Sequence, residues 1–376
     1  MGLENQIYFD IAATTPLDKD VAKLMHTLNT EYYGNPSSIH KIGQKSHNVI
    51  EKSRLSIAEK LNCKSSEIYF TSGGSESNNL ALRGLLNKGD HLITSSYEHP
   101  SILNLASELE KNGIEVSYIK PNNNGEIQLS DIKPEIKKNT KLISIMYVNN
   151  ELGVINPIKD ISDFAKSKNI LFHTDAVQFI GKEKFDLKSY NIDLLSMGAH
   201  KFYGPKGIGL LYIKQGLIIN PIITGGGQES GLRAGTENIS HIAGMDLALN
   251  KAYNNLDRNK NKIINLEKHF INKLNHYNID YRLNGEKRIP GILNLTFKNV
   301  DGNTLLIHLD MIGFAISYGS ACSSGTASPP LTLLEMGMPK DEAKCTVRIS
   351  IGKFIKESDI DMLCSKIHHI ISTIKK

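Results

Sequence analysis

The chain of 376 residues has no apolar run that approaches the length of a membrane span, and the stretch 216–223 is of a length that fills a core. Its first residues, MGLENQ, lack the basic-then-apolar pattern of a secretory leader, and Gln6 stands where a myristoylation signal needs Ser or Thr. Strong charge is missing as well. Lys and Arg together number 44 against 39 Asp and Glu, a formal net charge of +5, which gives no reason to invoke nucleic acid. The one basic cluster, residues 258–262, reads as a solvated helix face. Cysteine is scarce: Cys63, Cys322, Cys345 and Cys364 show no paired zinc spacing and are too few for a disulfide framework, so no metal site is expected. No Gly-Lys-Ser/Thr follows the glycines at 73–74, which excludes a nucleotide P-loop, and no internal repeat or low-complexity segment is present. What remains is an ordinary enzyme composition, 40% hydrophobic and 22% charged, placed in the cytoplasm.

The length suggests two domains, or one large domain with a lobe. From residue 67 to about 235, short apolar segments alternate with helical ones, the strands expected at 68–71, 91–94, 116–119, 142–148, 170–174, 194–197 and 209–213. That alternation predicts an α/β fold, a mostly parallel sheet covered by helices on both faces. Before it, helices are expected at 18–30 and 41–62, separated by a turn-rich loop at 33–40 long enough to be functional. After Gly235 long helical segments run over 239–275. Strands at 279–283, 292–297 and 314–317 and helices at 303–311 and 358–374 then predict a smaller α+β domain, completed by the amino-terminal strand. The expected division is a large domain over 16–255 and a small one from 1–15 and 256–376.

In parallel α/β sheets ligands sit at the carboxyl ends of strands, and Ser75, His99, Asn150, Asp175 and Lys201 all fall just past expected strand ends. Lys201 follows an apolar strand and precedes Gly204, Pro205, Gly207 and Gly209, a stiff turn that can hold a desolvated amine as a Schiff-base nucleophile. Taken alone it would pass for a solvated loop lysine. Asp175, at the end of the buried run NILFHTDAVQ (169–178), is a carboxylate in need of a cation. A Schiff-base lysine with such a carboxylate is the signature of pyridoxal 5'-phosphate (PLP) chemistry, where the aspartate meets the pyridinium nitrogen. The turn TSGGSESN (71–78) at a helix start offers Gly74, Ser75 and free N–H groups to a phosphate. Far downstream, GSACSSG (319–325) surrounds Cys322 with small residues, the mark of a mobile, exposed thiol. The other three cysteines sit in segments with their own periodicity and read as small apolar fillers.

These residues fall within an ordered series of motifs: YFDIAATTP (8–16), NPSSIH (35–40), TSGGSESN (71–78), EH (98–99), NNELG (149–153), HTDAVQ (173–178), AHKFYGPKG (199–207), GGGQE (225–229), RAGTEN (233–238) and GSACSSG (319–325). Across essentially the whole chain the sequence resembles the cysteine desulfurases of the NifS/IscS class, within the class V, fold-type I PLP-dependent transferases. The resemblance implies conversion of L-cysteine to L-alanine, with sulfur passing to Cys322 as a persulfide and on to iron–sulfur assembly or tRNA thiolation. It implies that Lys201 holds PLP and moves the α-proton, that Asp175 faces the ring nitrogen, and that Gln178 bonds the ring oxygen. His99 would stack on the ring and move the thiol proton, while Gly74, Ser75 and His200 hold the phosphate. Thr236 would reach it from the other subunit of a homodimer. Asn150 and Arg348 would fix the substrate carboxylate; Arg348 lies in the expected strand TVRISIG (346–352), where the rival reading is a surface charge on an edge strand. Partners implied are L-cysteine, a second copy of the chain and a sulfur-acceptor protein, with no nucleic acid or membrane, and Cys322 could transiently contact a nascent cluster. Three positions depart from the family pattern: Gly198 in place of Ser, Ile11 in place of Asn and Ser230 in place of Arg. The end at Lys376 implies that no tail is left to grip a scaffold partner. Another class V enzyme, an aminotransferase or a selenocysteine lyase, would keep Lys201 and Asp175 but has no need of Cys322.

Overall fold

The computed structural model of the chain describes residues 6–319 and 329–374. Two helices follow the short strand β1 (Ile7–Tyr8): α1 (Lys19–Glu31), capped by the Asp18 carboxylate, and α2 (Lys41–Leu61), which stops where Asn62 turns left-handed. Strands and helices then alternate through β2 (Ile68–Thr71), α3 (Gly74–Leu85), β3 (His91–Ser95), α4 (Pro100–Lys111), β4 (Glu115–Ile119) and α5 (Leu129–Ile132). The series continues with β5 (Thr140–Ser144), α6 (Ile158–Ser167), β6 (Leu171–Asp175), β7 (Leu194–Gly198) and β8 (Gly209–Ile213).

Among the described residues these strands form a seven-stranded sheet in the order β2-β8-β7-β6-β5-β3-β4, and only the pairings of β8 are antiparallel. The fold is therefore α/β with a mostly parallel sheet. Because successive strand residues face opposite sides, Leu92, Leu142, Leu194 and Leu211 join the core cluster under α3 and α4. Their neighbours Ile93, Ile143, Leu195 and Leu210 join the cluster on the other face, with Ile50 and Ile57 of α2. Both faces are covered, which is why the central strands read as continuous apolar runs. The β5 ladder ends at Ser144 rather than running to 148. Beyond it Met146 N is taken by the Glu98 carboxylate at 2.9 Å, while Tyr147 N still bonds Asp175 O of the neighbouring β6 at 2.9 Å.

The expected helical segments over 239–275 are two helices, α7 (Ile239–Asn254) and α8 (Leu256–His276), which meet at Asn255. Beyond them come β9 (Tyr281–Asn284), β10 (Ile292–Phe297), α9 (Gly302–Met311), β11 (Phe314–Ala315), α10 (Leu331–Glu335), α11 (Lys340–Ala343), β12 (Thr346–Ser350) and α12 (Glu357–Ile374). The strands β12-β10-β9 form an antiparallel sheet, and β1 pairs in parallel with β11. Phe9 shares a core cluster with Phe270, Leu295, Val347 and Leu363, while Ile292, Leu333 and Met336 belong to the larger cluster under the seven-stranded sheet. The segment 216–223 fills a core only in part, with Leu217 and Ile222 packed against the cluster that holds Ile219. Ile219 is buried, but Ile218 is 87% exposed, because the chain there lies along the surface, with Asn220 N bonded to Gly84 O. Among the described residues no helix is long and apolar enough to cross a membrane.

Candidate active site

A cavity of about 240 Å3 opens where the parallel strands end, and its wall includes Gly74, Ser75, His99, Asn150, Asp175, Gln178, His200, Lys201 and Arg348. Each arrives by a short local device. Asp175 is the last residue of β6; its Oδ1 accepts the Val177 N–H at 3.0 Å and its Oδ2 accepts the Asn78 amide at 2.7 Å. The carboxylate is buried, both of these donors are neutral, and among the described residues no ion pair involves it. Burying such a charge is costly unless a cation meets it.

Lys201 closes the turn that follows β7, where Tyr203 takes a left-handed φ of 67° and the chain doubles back. That turn is laced to the amino-terminal segment: Thr15 N donates to His200 O at 2.9 Å and Tyr203 N donates to Thr15 Oγ1 at 2.7 Å. Lys201 Nζ donates to the carbonyls of Ala12 at 2.8 Å and Ala13 at 2.7 Å. His200 meets Thr14 Oγ1 through Nδ1 at 3.1 Å, and burial, then Lys201 and the other cations nearby, pull its pKa down to about 3. It is neutral at physiological pH and able to donate one N–H.

His99 caps α4 through Nδ1, which lies 3.1 Å from Ser101 N and 2.8 Å from Ser101 Oγ, so the neutral ring finds a partner there in either tautomer, and with the proton on Nδ1 its Nε2 can accept one. Burial lowers its pKa, opposed by Asp175 and reinforced by Lys201. Directly before it, Glu98 is buried; its Oε1 accepts from Ser95 Oγ at 2.5 Å and from Met146 N. Burial pushes that carboxyl up to about 8, with Asp175 adding to the rise.

At α3 the chain comes close enough to β6 that a Cβ on Gly74 would strike Val177 Cγ2 at 2.6 Å. The first-turn amides of α3 therefore face the cavity without a side chain between. A Cβ at Gly198 would find ordinary contacts, 3.5 Å from Gly74 N and 3.5 Å from His200 Cδ2. Gln178 donates through Nε2 to Ala12 O at 2.7 Å and accepts through Oε1 from Lys182 at 2.6 Å.

Arg348 lies on an edge strand, yet it is 1% exposed. Its guanidinium bonds Asp10 at 2.6 Å and the Asn150 carbonyl at 2.8 Å, and its Nε is buried with no hydrogen-bond partner among the described residues. The surface-charge reading is thereby excluded. The backbone of Arg348 also exchanges two hydrogen bonds with Ser317, so the described chain before Ser320 is anchored at this residue.

Of the described site residues Thr236 is not on this wall; it is exposed on the stretch before α7. The expected sulfur acceptor, Cys322, lies outside the described residues. Cys63 and Cys364 are held up at about 12 by burial, as befits inert fillers. Sequence reasoning missed Asn78, which bonds Asp175, and Ser101, whose Oγ accepts from Asn78 Nδ2 at 2.9 Å. Asn78 stands one helical turn after Gly74 and so shares its face, a spacing that could have pointed to it.

The donor set fits PLP: a buried carboxylate lacking a cation for the ring nitrogen, an amine on the same wall, and a bare helix start for the phosphate. The Aminotransferase class-V family model matches residues 7–363. A cysteine desulfurase IscS of Dictyoglomus turgidum is 41% identical over 379 residues, spanning 99% of this chain and 96% of its own. A solved NifS-like protein superposes with a TM-score of 0.92 at 34% identity, over 98% of this chain and 100% of that one. A second solved structure, SspA in complex with cysteine, gives a TM-score of 0.83 at 38% identity, over 92% and 99% of the two chains. This chain belongs to the class-V aminotransferase family and, within it, to the PLP-dependent cysteine desulfurases.

Proposed function

We propose that the chain converts L-cysteine to L-alanine, that Cys322 accepts the sulfur as a persulfide, and that the residues of the cavity wall act as follows. Lys201 carries PLP, Asp175 meets the ring nitrogen, Gln178 donates to the ring oxygen, and Gly74, Ser75 and His200 hold the phosphate. The cofactor, when bound, supplies an electron sink for the bonds around the substrate's α-carbon. Arg348 and Asn150 bind the substrate carboxylate. The planar fork suits that task, and its orphaned Nε is a donor in reserve. Lys201 moves the α-proton. His99, neutral at its working pH, takes the proton of the substrate thiol.

The Cys322 thiolate then attacks the substrate sulfur. An S–S bond forms as the C–S bond breaks, the electron pair leaves with carbon, and protonation of that carbon completes alanine. Cysteine and enzyme thiol thus become alanine and enzyme persulfide, with no outside oxidant. Cys322 follows Gly319 by three residues, a tether of at most about 11 Å from a segment bonded to Arg348. The observation that carries the reading is the convergence of Lys201, Asp175 and the buried Arg348 on one cavity.

The working unit is a homodimer, supported by the exposed Tyr33, Ile39 and Ile42 near the helix start of α2 and by the exposed Thr236, which reaches a phosphate in the other copy. Its acceptor is an iron–sulfur scaffold or a tRNA-thiolation protein, its location the cytoplasm. Residues 16–255 form the cofactor domain, and 1–15 with 256–376 form the small one. Incubation of the holoenzyme with L-cysteine and a thiol reductant, with alanine and sulfide quantified, is the test. Equal amounts are expected, and none from Lys201→Ala. A keto acid with neither alanine nor sulfide would turn the assignment to an aminotransferase.

A further inference from the structure

Lys182 takes no part in the roles assigned above, yet it stands beside the site. Its amine donates to Gln178 Oε1 at 2.6 Å. Burial first, then Lys201 and Arg348, bring its pKa down to about 7. The residue as a whole is of intermediate exposure because it also borders a neighbouring cavity of about 430 Å3. The charged groups on that wall include Asp18, which pairs with Lys251 and Lys353, and Lys260, which pairs with Glu183 at 2.7 Å.

The two ends of a glutamine amide are nearly the same shape, so its orientation is decided by its partners. Gln178 has two partners of opposite kind. Ala12 O can only accept, which requires the NH2 end; a lysine ammonium can only donate, which requires the oxygen. We infer that Lys182 is a positioning residue: by occupying Gln178 Oε1 it turns the amide's NH2 end toward the cofactor cavity and makes Gln178 a hydrogen-bond donor there. One N–H goes to Ala12 O and the second is left for the cavity that Gln178 lines. Ala12 O also receives Lys201 Nζ, so Lys182 and Lys201 are joined through one amide and one carbonyl. A cation on the amide oxygen polarises the N–H groups and strengthens them as donors. The inference rests on the proposed role of Gln178 toward the ring oxygen.

The experiment uses the holoenzyme and the variants Lys182→Met, Lys182→Arg and Gln178→Met, with the Lys182→Met/Gln178→Met double. Two quantities are read: the pH midpoint of the cofactor's visible absorption band, and the cofactor dissociation constant. Lys182→Met removes a donor and a positive charge, both of which favour the deprotonated chromophore. Its midpoint should rise by about 0.5–1 pH unit and cofactor release should increase about 3- to 10-fold. Lys182→Arg should restore both, and in the Gln178→Met background Lys182→Met should add clearly less than it does alone, only the part its charge contributes through space. A Lys182→Met midpoint equal to wild type, or a shift of full size in the absence of Gln178, overturns the inference while leaving the role of Gln178 intact. A Gln178→Met protein with both readouts unmoved overturns that role itself.

Discussion

Asp175→Asn separates what the site does from what the fold needs. In the native protein Asp175 Oδ1 accepts the Val177 amide and Oδ2 accepts Asn78 Nδ2. An asparagine keeps the first bond, but its NH2 would face the NH2 of Asn78. Asn78 can answer by turning over, because its Oδ1 is buried with no partner among the described residues. The turn gives up the 2.9 Å bond to Ser101 Oγ, a loss of about 1 kcal/mol and about 1–2 °C in the melting temperature of the cofactor-free protein. The charged contact proposed between Asp175 and the ring nitrogen is a larger loss, about 1.5–3 kcal/mol, so the cofactor should dissociate about 10- to 150-fold more readily. Turnover should fall further still, since a ring nitrogen without its anion is a poorer electron sink. Equilibrium dialysis of PLP, calorimetric melting of the cofactor-free protein and alanine release under saturating PLP give the three numbers. A variant that melts near wild type but holds PLP as tightly, and still makes alanine at the native rate, would refute the placement of Asp175.

Three further outcomes are expected. Arg348→Lys keeps the charge opposite Asp10 but loses the fork that reaches Asn150 O; kcat/KM for L-cysteine should drop at least about tenfold, most of it in KM. Glu98 has a folded-state pKa raised to about 8 by burial, so its protonated form favours folding most at low pH and that contribution is lost as pH rises toward 8. The melting temperature of Glu98→Gln relative to wild type should therefore climb between pH 5 and pH 8, and a flat difference would contradict it. Gly198→Ser fits the space beside Gly74 N and adds a hydroxyl to the phosphate wall, so the PLP dissociation constant should fall about 3- to 10-fold, read by dialysis.

The sheet was legible because its strands are buried on both faces and so appear as separate apolar runs between helical periods, and the shared wall of Ser75, His99, Asn150, Asp175 and Lys201 because each of these stands just past such a run. The junction of α7 and α8 at Asn255 was not legible, since no proline or glycine marks it and both sides keep helical spacing. Nor was the exposure of Ile218, since an apolar run carries no record of what lies beside it in space. The carbonyls of Ala12 and Ala13 that receive Lys201, and the tie from Asp10 to Arg348, join parts of the chain that are remote in sequence. Backbone acceptors leave no residue-type signal. Asn78 left a spacing signal, but its amide reaches Asp175 only because α3 and β6 are brought together by the sheet.

The central claim is that a thiol downstream of the site collects the sulfur released in the cavity. It is tested by mixing the holoenzyme with L-cysteine, quenching with an alkylating agent and mapping the peptides by mass spectrometry. The peptide containing Cys322 should be heavier by one sulfur, with alanine formed in equal amount, and the gain should vanish in Lys201→Ala. An extra sulfur on Cys63, Cys345 or Cys364 while Cys322 stays unmodified would contradict the account.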